Sequence, residues 1–375
     1  MQYRTWNKIG KEVSLLGTGT MRLPLTEAGE IHEAAAIEMI RHSIDQGVNY
    51  VDTAWMYHDG KSEVVVGKAL RDGYREKVFL ADKLPVWYTK TEDEMEDLFE
   101  TQLQRCETGH FDMYLLHSVD QPVWKRAMKL NALEFLEKKR AEGKITYLGF
   151  SFHGEEDFFP QVVDAHDWDF CQIQLNYMDA NIQAGVAGLK YAGEKGLPVV
   201  IMEPLKGGKL TDNIPPVIRE VWDSAPVCRT PAEWAFRWVA DFPEVSTILS
   251  GMSSAGQLQE NLRILDDARP NTLTDEEHSL IQRAADLYNE LIRYSCTACK
   301  YCMPCPQKID IPRVMEYYNE WFLYDQNPKT REAYYMWLPK GKRASDCVAC
   351  KACEEVCPQQ LPIIEAMKKS ADIFE

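Results

Sequence analysis

Eight of the chain's eleven cysteines lie in two short runs near the C-terminus, and a proline closes each run. The first run is Cys296, Cys299, Cys302 and Cys305, before Pro306; the second is Cys347, Cys350, Cys353 and Cys357, before Pro358. The second run has the spacing C-x2-C-x2-C-x3-C-P, in which three thiolates bind one cubane iron–sulfur cluster and the fourth binds its neighbour. The first run is one residue shorter before its last cysteine. The pattern therefore predicts a C-terminal segment that holds two [4Fe-4S] clusters.

Zinc and disulfides are the alternative explanations of these cysteines. Structural zinc usually takes two C-x2-C pairs from separate segments, whereas each run here supplies four thiolates within ten or eleven residues. Disulfides need an oxidising compartment, and residues 1–10 have no basic stretch followed by an apolar one, so we expect a cytoplasmic protein. The three remaining cysteines lie in apolar or amphipathic stretches and are expected to be small buried residues: Cys106, Cys171 and Cys228.

Charge and composition restrict the partners of this chain. Its formal net charge is −16, which argues against nucleic acid or an anionic membrane surface as a partner, because both require a basic face. No stretch approaches 18 consecutive apolar residues, so we expect no membrane span. The apolar content of 45% is typical of a folded globular chain.

Residues 13 to about 267 alternate between short apolar runs and amphipathic stretches. Eight runs have β-strand composition: 13–20, 48–54, 78–84, 111–118, 145–152, 170–176, 198–205 and 245–251. Helical stretches separate them, for example 34–46, 61–72, 92–107, 123–142 and 184–195. Runs that are apolar on both faces indicate a parallel sheet covered by helices, and eight βα units in about 255 residues match a TIM barrel. An open doubly wound sheet is the alternative, but no G-x-G-x-x-G follows the first strand.

The rest of the chain reads as mainly helical. Thr274 and Glu277 form a capping-box pattern at the start of a helix, and residues 310–343, between the cysteine runs, are rich in Tyr and Trp. We therefore predict an α/β fold with two domains. A (β/α)8 TIM barrel spans residues 1–288, and a small, mainly helical, two-[4Fe-4S] ferredoxin-like domain spans residues 289–375.

Four polar residues follow successive barrel strands at the end where TIM barrels place their active sites. Asp52 ends the second strand and Tyr57 lies in the loop after it; Lys83 and His117 end the third and fourth strands. One carboxylate, one phenol, one ammonium and one imidazole therefore come from three successive strand ends.

These residues also carry a family resemblance. D-T-A-x-x-Y, the strand-end Lys and Y-L-L-H resemble the aldo-keto reductase superfamily over essentially the whole barrel, and C-T-A-C-K-Y-C-M-P-C-P resembles its iron–sulfur-bearing branch. The resemblance implies that the catalytic tetrad is Asp52, Tyr57, Lys83 and His117, and that the reaction is carbonyl reduction. That reaction needs a proton donor for the developing alkoxide, and a phenol with a pKa of about 10 becomes a better acid when a cation lies beside it. Asp52 would hold Lys83, Lys83 would activate Tyr57, and His117 would orient the carbonyl oxygen. The resemblance also implies crossed ligation, in which Cys296, Cys299 and Cys302 share a cluster with Cys357, and Cys347, Cys350 and Cys353 share the other with Cys305.

The resemblance further implies a nicotinamide cofactor. Ser151 and Gln172 would hold the nicotinamide amide, Pro204, Leu205 and Gly207 would run along the pyrophosphate, and Glu260 and Asn261 would reach the adenine. The chain departs from the family at Phe152, where the family often has Asn. Gly251 and Gln257 stand where a Lys and an Arg commonly bind the 2′-phosphate, so NADP and NAD both stay open.

Three functions are compatible with these features. The first is interconversion of a small-molecule carbonyl and alcohol with the nicotinamide cofactor, coupled through the clusters to a redox partner protein. Clusters carry single electrons whereas nicotinamide takes hydride, so a flavin converter is an open alternative, although no flavin motif is recognisable. The second function is an ordinary carbonyl reductase whose clusters are structural. The third is an electron-transfer or interaction module without catalysis.

Overall fold

The computed structural model describes residues 1–324 and 326–375. By compactness the chain divides into two units, Met1–Pro204 with Ala232–Leu273, and Leu205–Pro231 with Thr274–Glu375. The domain limits given above, 1–288 and 289–375, remain predictions. None of the helices in the described part of the chain is long and apolar enough to cross a membrane.

The first unit contains an N-terminal hairpin and a closed barrel. The hairpin pairs β1 (Tyr3–Trp6) with β2 (Lys11–Ser14) in antiparallel fashion. The barrel has eight parallel strands: β3 (Leu16–Gly19), β4 (Tyr50–Asp52), β5 (Phe79–Leu84), β6 (Phe111–Val119), β7 (Ile145–Phe152), β8 (Phe170–Gln174), β9 (Val199–Met202) and β10 (Val245–Ser250). Pairing of β10 with β3 closes the barrel. The predicted TIM barrel is confirmed.

The hairpin closes the N-terminal end of the barrel. The predicted strand over 13–20 is in fact two strands, since Val13 belongs to β2 and Leu16 begins β3. Trp6 is completely buried, and its ring lies 5.9 Å from that of Tyr50 and 5.7 Å from that of Phe170, measured between centroids. Because Tyr50 and Phe170 begin β4 and β8, this aromatic cluster fills the barrel floor. The opposite end of the barrel, where the strands finish, is therefore the end at which an active site can form.

Helices follow most barrel strands: α1 (Glu33–Asp45), α2 (Lys61–Ala69), α3 (Glu92–Arg105), α4 (Gln121–Lys129), α5 (Ala132–Ala141), α6 (Phe159–Asp164), α7 (Gly185–Glu194), α8 (Pro216–Asp223), α9 (Pro231–Ala240) and α10 (Ala255–Asp267). Polar N-caps fix several starts, as where the Asp120 carboxylate accepts from the Val123 amide at 2.7 Å. The single helix predicted over 123–142 is divided, because Asn131 adopts a left-handed φ of +53° between α4 and α5.

The second unit contains α8 and five further helices: α11 (Asp275–Leu291), α12 (Ile311–Leu323), α13 (Pro328–Trp337), α14 (Ala352–Glu355) and α15 (Ile363–Phe374). The predicted capping box is confirmed, since Thr274 and Glu277 each accept a hydrogen bond from the other's backbone amide. The helical character predicted for this part is also confirmed. Its core includes Tyr334 stacked on Phe374, with ring centroids 4.6 Å apart.

Candidate active site and cluster sites

A buried ion pair lies at the C-terminal end of the barrel. Asp52 is the last residue of β4, and Lys83 lies on the neighbouring strand β5. The Lys83 Nζ is 2.8 Å from each carboxylate oxygen of Asp52, and it also donates to the Thr53 carbonyl at 2.6 Å. Both side chains are almost completely buried. Burial raises the pKa of Asp52, and the Lys83 charge opposes that rise.

Tyr57 lies beside this pair. It begins a short 3-10 turn, Tyr57–Gly60, in which His58 and Asp59 adopt left-handed φ angles of +52° and +56°. The turn brings the phenol ring to the lysine, so that Lys83 Nζ lies 5.1 Å from the ring centroid. Tyr57 is itself buried. The structure thus brings together three of the four residues predicted as catalytic.

His117, the fourth, lies on β6 and is buried. Burial, followed by the Lys83 charge, holds the pKa of His117 well below its usual range, so the imidazole is neutral at neutral pH. The ring of Trp87, after β5, packs at 5.2 Å from the His117 ring. A second imidazole, His153, follows β7, and burial lowers its pKa to about 4 while its Nδ1 lies 3.1 Å from the Gln183 amide oxygen.

Behind Lys83 lies a buried carboxyl pair that sequence reasoning missed. Asp82 alternates with Lys83 along β5, and the Gln102 amide nitrogen donates to Asp82 at 2.9 Å and to Glu63 at 3.1 Å. Arg105 donates to the other oxygen of Glu63 at 2.8 Å. Burial, followed by the Glu63 charge, raises the pKa of Asp82 well above its usual range, which favours its protonated form, while Glu63 pairs with Arg105. The only sequence signal was the adjacency of Asp82 and Lys83.

Two of the residues predicted to hold a nicotinamide are neighbours in the barrel. Ser151 on β7 is in register with Gln172 on β8. The Ser151 hydroxyl accepts from the Ser118 amide at 2.7 Å. Gln172 is buried, and its amide oxygen has no hydrogen-bond partner in the described part of the chain. A buried carbonyl of this kind needs a donor, and the carboxamide of a nicotinamide is one that fits it.

The residues predicted for the adenosine end gather where β10 meets α10. Asn261 is buried and donates to the Ser250 hydroxyl at 3.0 Å, while the Gln257 amide oxygen accepts from the Ser253 amide at 2.8 Å. Glu260 lies half-buried beside Asn261. A β-carbon placed on Gly251 would lie 3.2 Å from the Cβ of Arg22, so this glycine packs against the arginine stem.

Arg22 is a cationic residue near Gly251 that the sequence analysis did not predict for this region. Its Nη2 lies 3.7 Å from the Glu203 carboxylate, after β9. Pro204 follows Glu203 in the first unit. The two remaining predicted residues, Leu205 and Gly207, belong to the second unit, and Gly207 has a left-handed φ of +68°. The roles of all these residues remain predictions.

The eight clustered cysteines surround two cavities in the second unit. One cavity is lined by Cys296, Cys299, Cys302 and Cys357, and another is lined by Cys305, Cys347, Cys350 and Cys353. These are the two sets expected from crossed ligation. Four thiols around each cavity are the donors that a cubane cluster takes, so the residues fit two clusters. Ile311 and Ile363 line both cavities and separate them.

The other three cysteines do not share one environment. Cys106 and Cys171 are buried, as expected. The expectation was wrong for Cys228, which is exposed. It lies in the connection between α8 and α9, where a short amphipathic stretch forms no buried face.

Comparison with known proteins identifies both parts of the chain. Residues 15–286 match the aldo/keto reductase family, and residues 295–361 match a 4Fe-4S dicluster domain. Aldo-keto reductase YhdN of Bacillus subtilis is 30% identical over 223 residues, which cover 56% of this chain and 64% of that protein. NADH-specific methylglyoxal reductase of Escherichia coli is 24% identical over 318 residues, covering 73% of this chain and 95% of that protein.

The chain spans less than two thirds of the length of the first curated relatives, 64% of the Bacillus protein and 61% of probable aldo-keto reductase 1 of Glycine max. Among solved structures, an aldo/keto reductase from Klebsiella pneumoniae in complex with NADP and acetate is 28% identical with a TM-score of 0.58, covering 74% of this chain and 93% of that one. A holo aldo-keto reductase from Bacillus halodurans is 25% identical with a TM-score of 0.62, covering 76% and 96%. These comparisons give no support to a flavin. The chain belongs to the aldo/keto reductase family and carries a C-terminal 4Fe-4S dicluster domain.

Proposed function

We propose that the barrel interconverts a small-molecule carbonyl and its alcohol with a nicotinamide cofactor, and that the C-terminal domain carries electrons to or from a partner protein. The observation that carries the barrel assignment is the Lys83 ammonium, which lies between the Asp52 carboxylate and the Tyr57 ring. A buried cation beside a buried phenol favours the phenolate form and so promotes proton transfer from the phenol.

Tyr57 is the proton donor in this proposal. As negative charge develops on the carbonyl oxygen, the phenol transfers its proton to that oxygen, and solvent later reprotonates the phenolate. Lys83 stabilises the phenolate by its charge, and Asp52 holds Lys83 in place through two 2.8 Å contacts. His117 is neutral, so it donates a hydrogen bond to the same oxygen without competing as an acid.

A bound nicotinamide supplies the hydride that reaches the carbonyl carbon. Gln172 and Ser151 would hold its carboxamide, and the unpartnered amide oxygen of Gln172 supports this role. Pro204, Leu205 and Gly207 would follow the pyrophosphate; Glu260 and Asn261 would bind the adenine. Gly251 and Gln257 bring no charge to the 2′-phosphate position, and we propose binding of NADP or NAD without assigning a preference.

The clusters supply one-electron transfer in the C-terminal domain. Each would be held by one of the two cysteine sets that line the cavities, and the two together hold two electrons, as many as one hydride. Coupling between the barrel and this domain is part of the proposal. The substrate is a small carbonyl or alcohol, and the partner is a redox protein. We place the protein in the cytoplasm, where thiolates stay reduced.

Replacement of Tyr57 by Phe tests the barrel assignment. Methylglyoxal, the substrate named for one relative, serves as the probe carbonyl with NADPH and NADH. Loss of the proton donor should lower kcat about 100-fold or more, while cofactor affinity measured by fluorescence stays unchanged. The matched control is Tyr50→Phe, because the Tyr50 hydroxyl is buried on the barrel floor without a partner among the described residues. A Tyr57→Phe variant with the turnover of the wild type would overturn the proposal.

A further inference from the structure

The two cysteine runs begin with the same short loop, used twice. Residues 296–302 read C-T-A-C-K-Y-C and residues 347–353 read C-V-A-C-K-A-C. The backbones match as well: φ is +53° at Ala298 and +56° at Ala349, and +66° at both Lys300 and Lys351. Each position of one loop can therefore be compared with its counterpart in the other.

The two loops differ in exposure to solvent. Thr297 is 2% exposed, whereas its counterpart Val348 is 61% exposed. Cys299 is half-buried, whereas Cys350 is exposed. Since sequence and backbone are alike, the difference comes from what covers each loop. The second loop, which includes Val348 and Cys350, is therefore the more exposed of the two.

Further exposed apolar side chains lie at the end of α13, which precedes this loop in the chain: Met336 and Trp337 are 74% and 66% exposed. Arg343, four residues before Cys347, packs on this end of α13, because its Nε donates to the Leu338 carbonyl at 2.7 Å and its guanidinium lies 4.5 Å from the Tyr335 ring centroid. Exposed Trp, Met and Tyr side chains beside arginine are typical of protein interfaces.

The same segment is basic in an acidic protein. Residues 329–351 carry six basic side chains, Lys329, Arg331, Lys340, Lys342, Arg343 and Lys351, against two acidic ones, Glu332 and Asp346. The whole chain has a net charge of −16. We define the basic face by its exposed members, which are Tyr335, Met336, Trp337, Lys340, Lys342, Val348 and Lys351.

We propose that the basic face is the docking surface for a small acidic electron-carrier protein, which exchanges one electron with the cluster site of Cys305, Cys347, Cys350 and Cys353. The inference rests on the proposed electron-carrying role of the C-terminal domain. In each encounter the chain loses one electron and the carrier gains one, or the reverse. Opposite charges speed the encounter and orient it, and the exposed apolar centre gives the brief, small contact used by redox proteins.

Lys351 and Lys300 provide a matched pair for the test, because both are exposed and follow the second cysteine of their runs with the same φ. The chain with its clusters is reduced anaerobically with dithionite, and the excess dithionite is removed. It is then mixed in a stopped-flow instrument with an oxidised acidic flavodoxin. We expect Lys351→Glu to slow flavodoxin reduction about fivefold or more at low salt, and Lys300→Glu to change it less than twofold. The wild-type rate should fall as ionic strength rises.

Two further measurements separate docking from cluster loss. The affinity of each variant for flavodoxin, by calorimetry, should weaken for Lys351→Glu and for a Lys340→Glu/Lys342→Glu variant, but not for Lys300→Glu. Oxidation by the small cation hexaammineruthenium(III) should be no slower in Lys351→Glu than in the wild type, which shows that its clusters are intact. Equal effects of Lys300→Glu and Lys351→Glu, or rates independent of salt, would overturn the docking surface.

The outcomes also distinguish this inference from the proposed function. Clusters that are present by iron analysis but cannot be reduced would refute the electron-carrying role itself. Clusters that are reducible but exchange electrons equally well in all three variants would refute only the basic face. Binding of the wild type to vesicles of anionic lipid, abolished by Lys351→Glu, with no binding to flavodoxin, would assign the face to a membrane and overturn the inference.

Discussion

Replacing Lys83 by Met should lower the free energy of unfolding, because the buried Asp52 carboxylate loses its counterion. Lys83 and Asp52 are both almost completely buried, and the lysine makes two 2.8 Å contacts with the carboxylate. Met retains the apolar stem but removes the cation, so Asp52 keeps a buried carboxylate without a counterion. Removing one partner of such a pair costs about 3–5 kcal/mol of unfolding free energy.

The loss should depend on pH in a defined direction. Burial already raises the pKa of Asp52, and without Lys83 nothing opposes that rise. In the folded variant, Asp52 therefore binds its proton at a higher pH than it does in the unfolded chain, where the pKa of aspartate is ordinary. Its stability relative to wild type should therefore improve as the pH falls from 8 towards 5, by at most about 1.4 kcal/mol per pH unit.

Urea unfolding followed by far-UV circular dichroism at pH 8 and pH 5 measures both effects. The control is the double variant Asp52→Asn/Lys83→Met, which removes the orphaned charge and should recover most of the lost stability while remaining inactive. A Lys83→Met variant as stable as wild type at pH 8, or one whose loss of stability grows as the pH falls, would show that Asp52 is not left as a buried, unpaired carboxylate.

Three other predictions concern residues outside the proposed tetrad. Trp6→Ala should cost about 3–5 kcal/mol of unfolding free energy, because it empties the barrel floor beneath Tyr50 and Phe170; a loss below 1 kcal/mol in urea unfolding would contradict this. Asp82→Asn should stay within about 1 kcal/mol of wild type in urea unfolding, because burial raises the pKa of Asp82 and Asn keeps the shape of the neutral side chain; a loss like that of Asp82→Ala would contradict this. The pKa of His153 is about 4 in the folded protein, so as the pH falls the unfolded chain binds a proton at His153 before the folded protein does. The free energy of unfolding should therefore fall by up to about 3 kcal/mol between pH 6.5 and 4. His153→Gln should remove this part of the acid sensitivity, and an unchanged pH profile of stability would contradict the prediction.

The barrel could be predicted from the sequence because its strands are apolar on both faces and recur with helices between them. Two details of the backbone conformation could not be predicted from the sequence. The hairpin and β3 read as one strand because Val13 and Leu16 are both apolar, and only the turn in direction at Leu15 separates them. The break between α4 and α5 depends on the left-handed conformation of Asn131, which the helical pattern around it conceals.

The site shows a similar division. Asp52, Tyr57 and Lys83 could be predicted to meet, and His117 to lie at the same end of the barrel, because parallel strands end at the same side of a barrel. The Glu63–Asp82 pair could not, since it depends on Gln102 of α3 lying behind β5, a contact that no spacing along the chain reveals. The sequence also could not predict that Val348 is exposed while its counterpart Thr297 is buried, because the two loops have nearly the same sequence.

Whether the barrel and the C-terminal domain share electrons can be measured directly. The protein is reduced anaerobically with dithionite, freed of excess dithionite and mixed with NADP⁺ or NAD⁺, while absorbance at about 340 nm and the cluster EPR signal are followed together. We expect the absorbance to grow as the EPR signal fades, with one reduced nicotinamide formed per two electrons lost. Clusters that stay reduced, in a preparation that still reduces a carbonyl with NADPH or NADH, would contradict it.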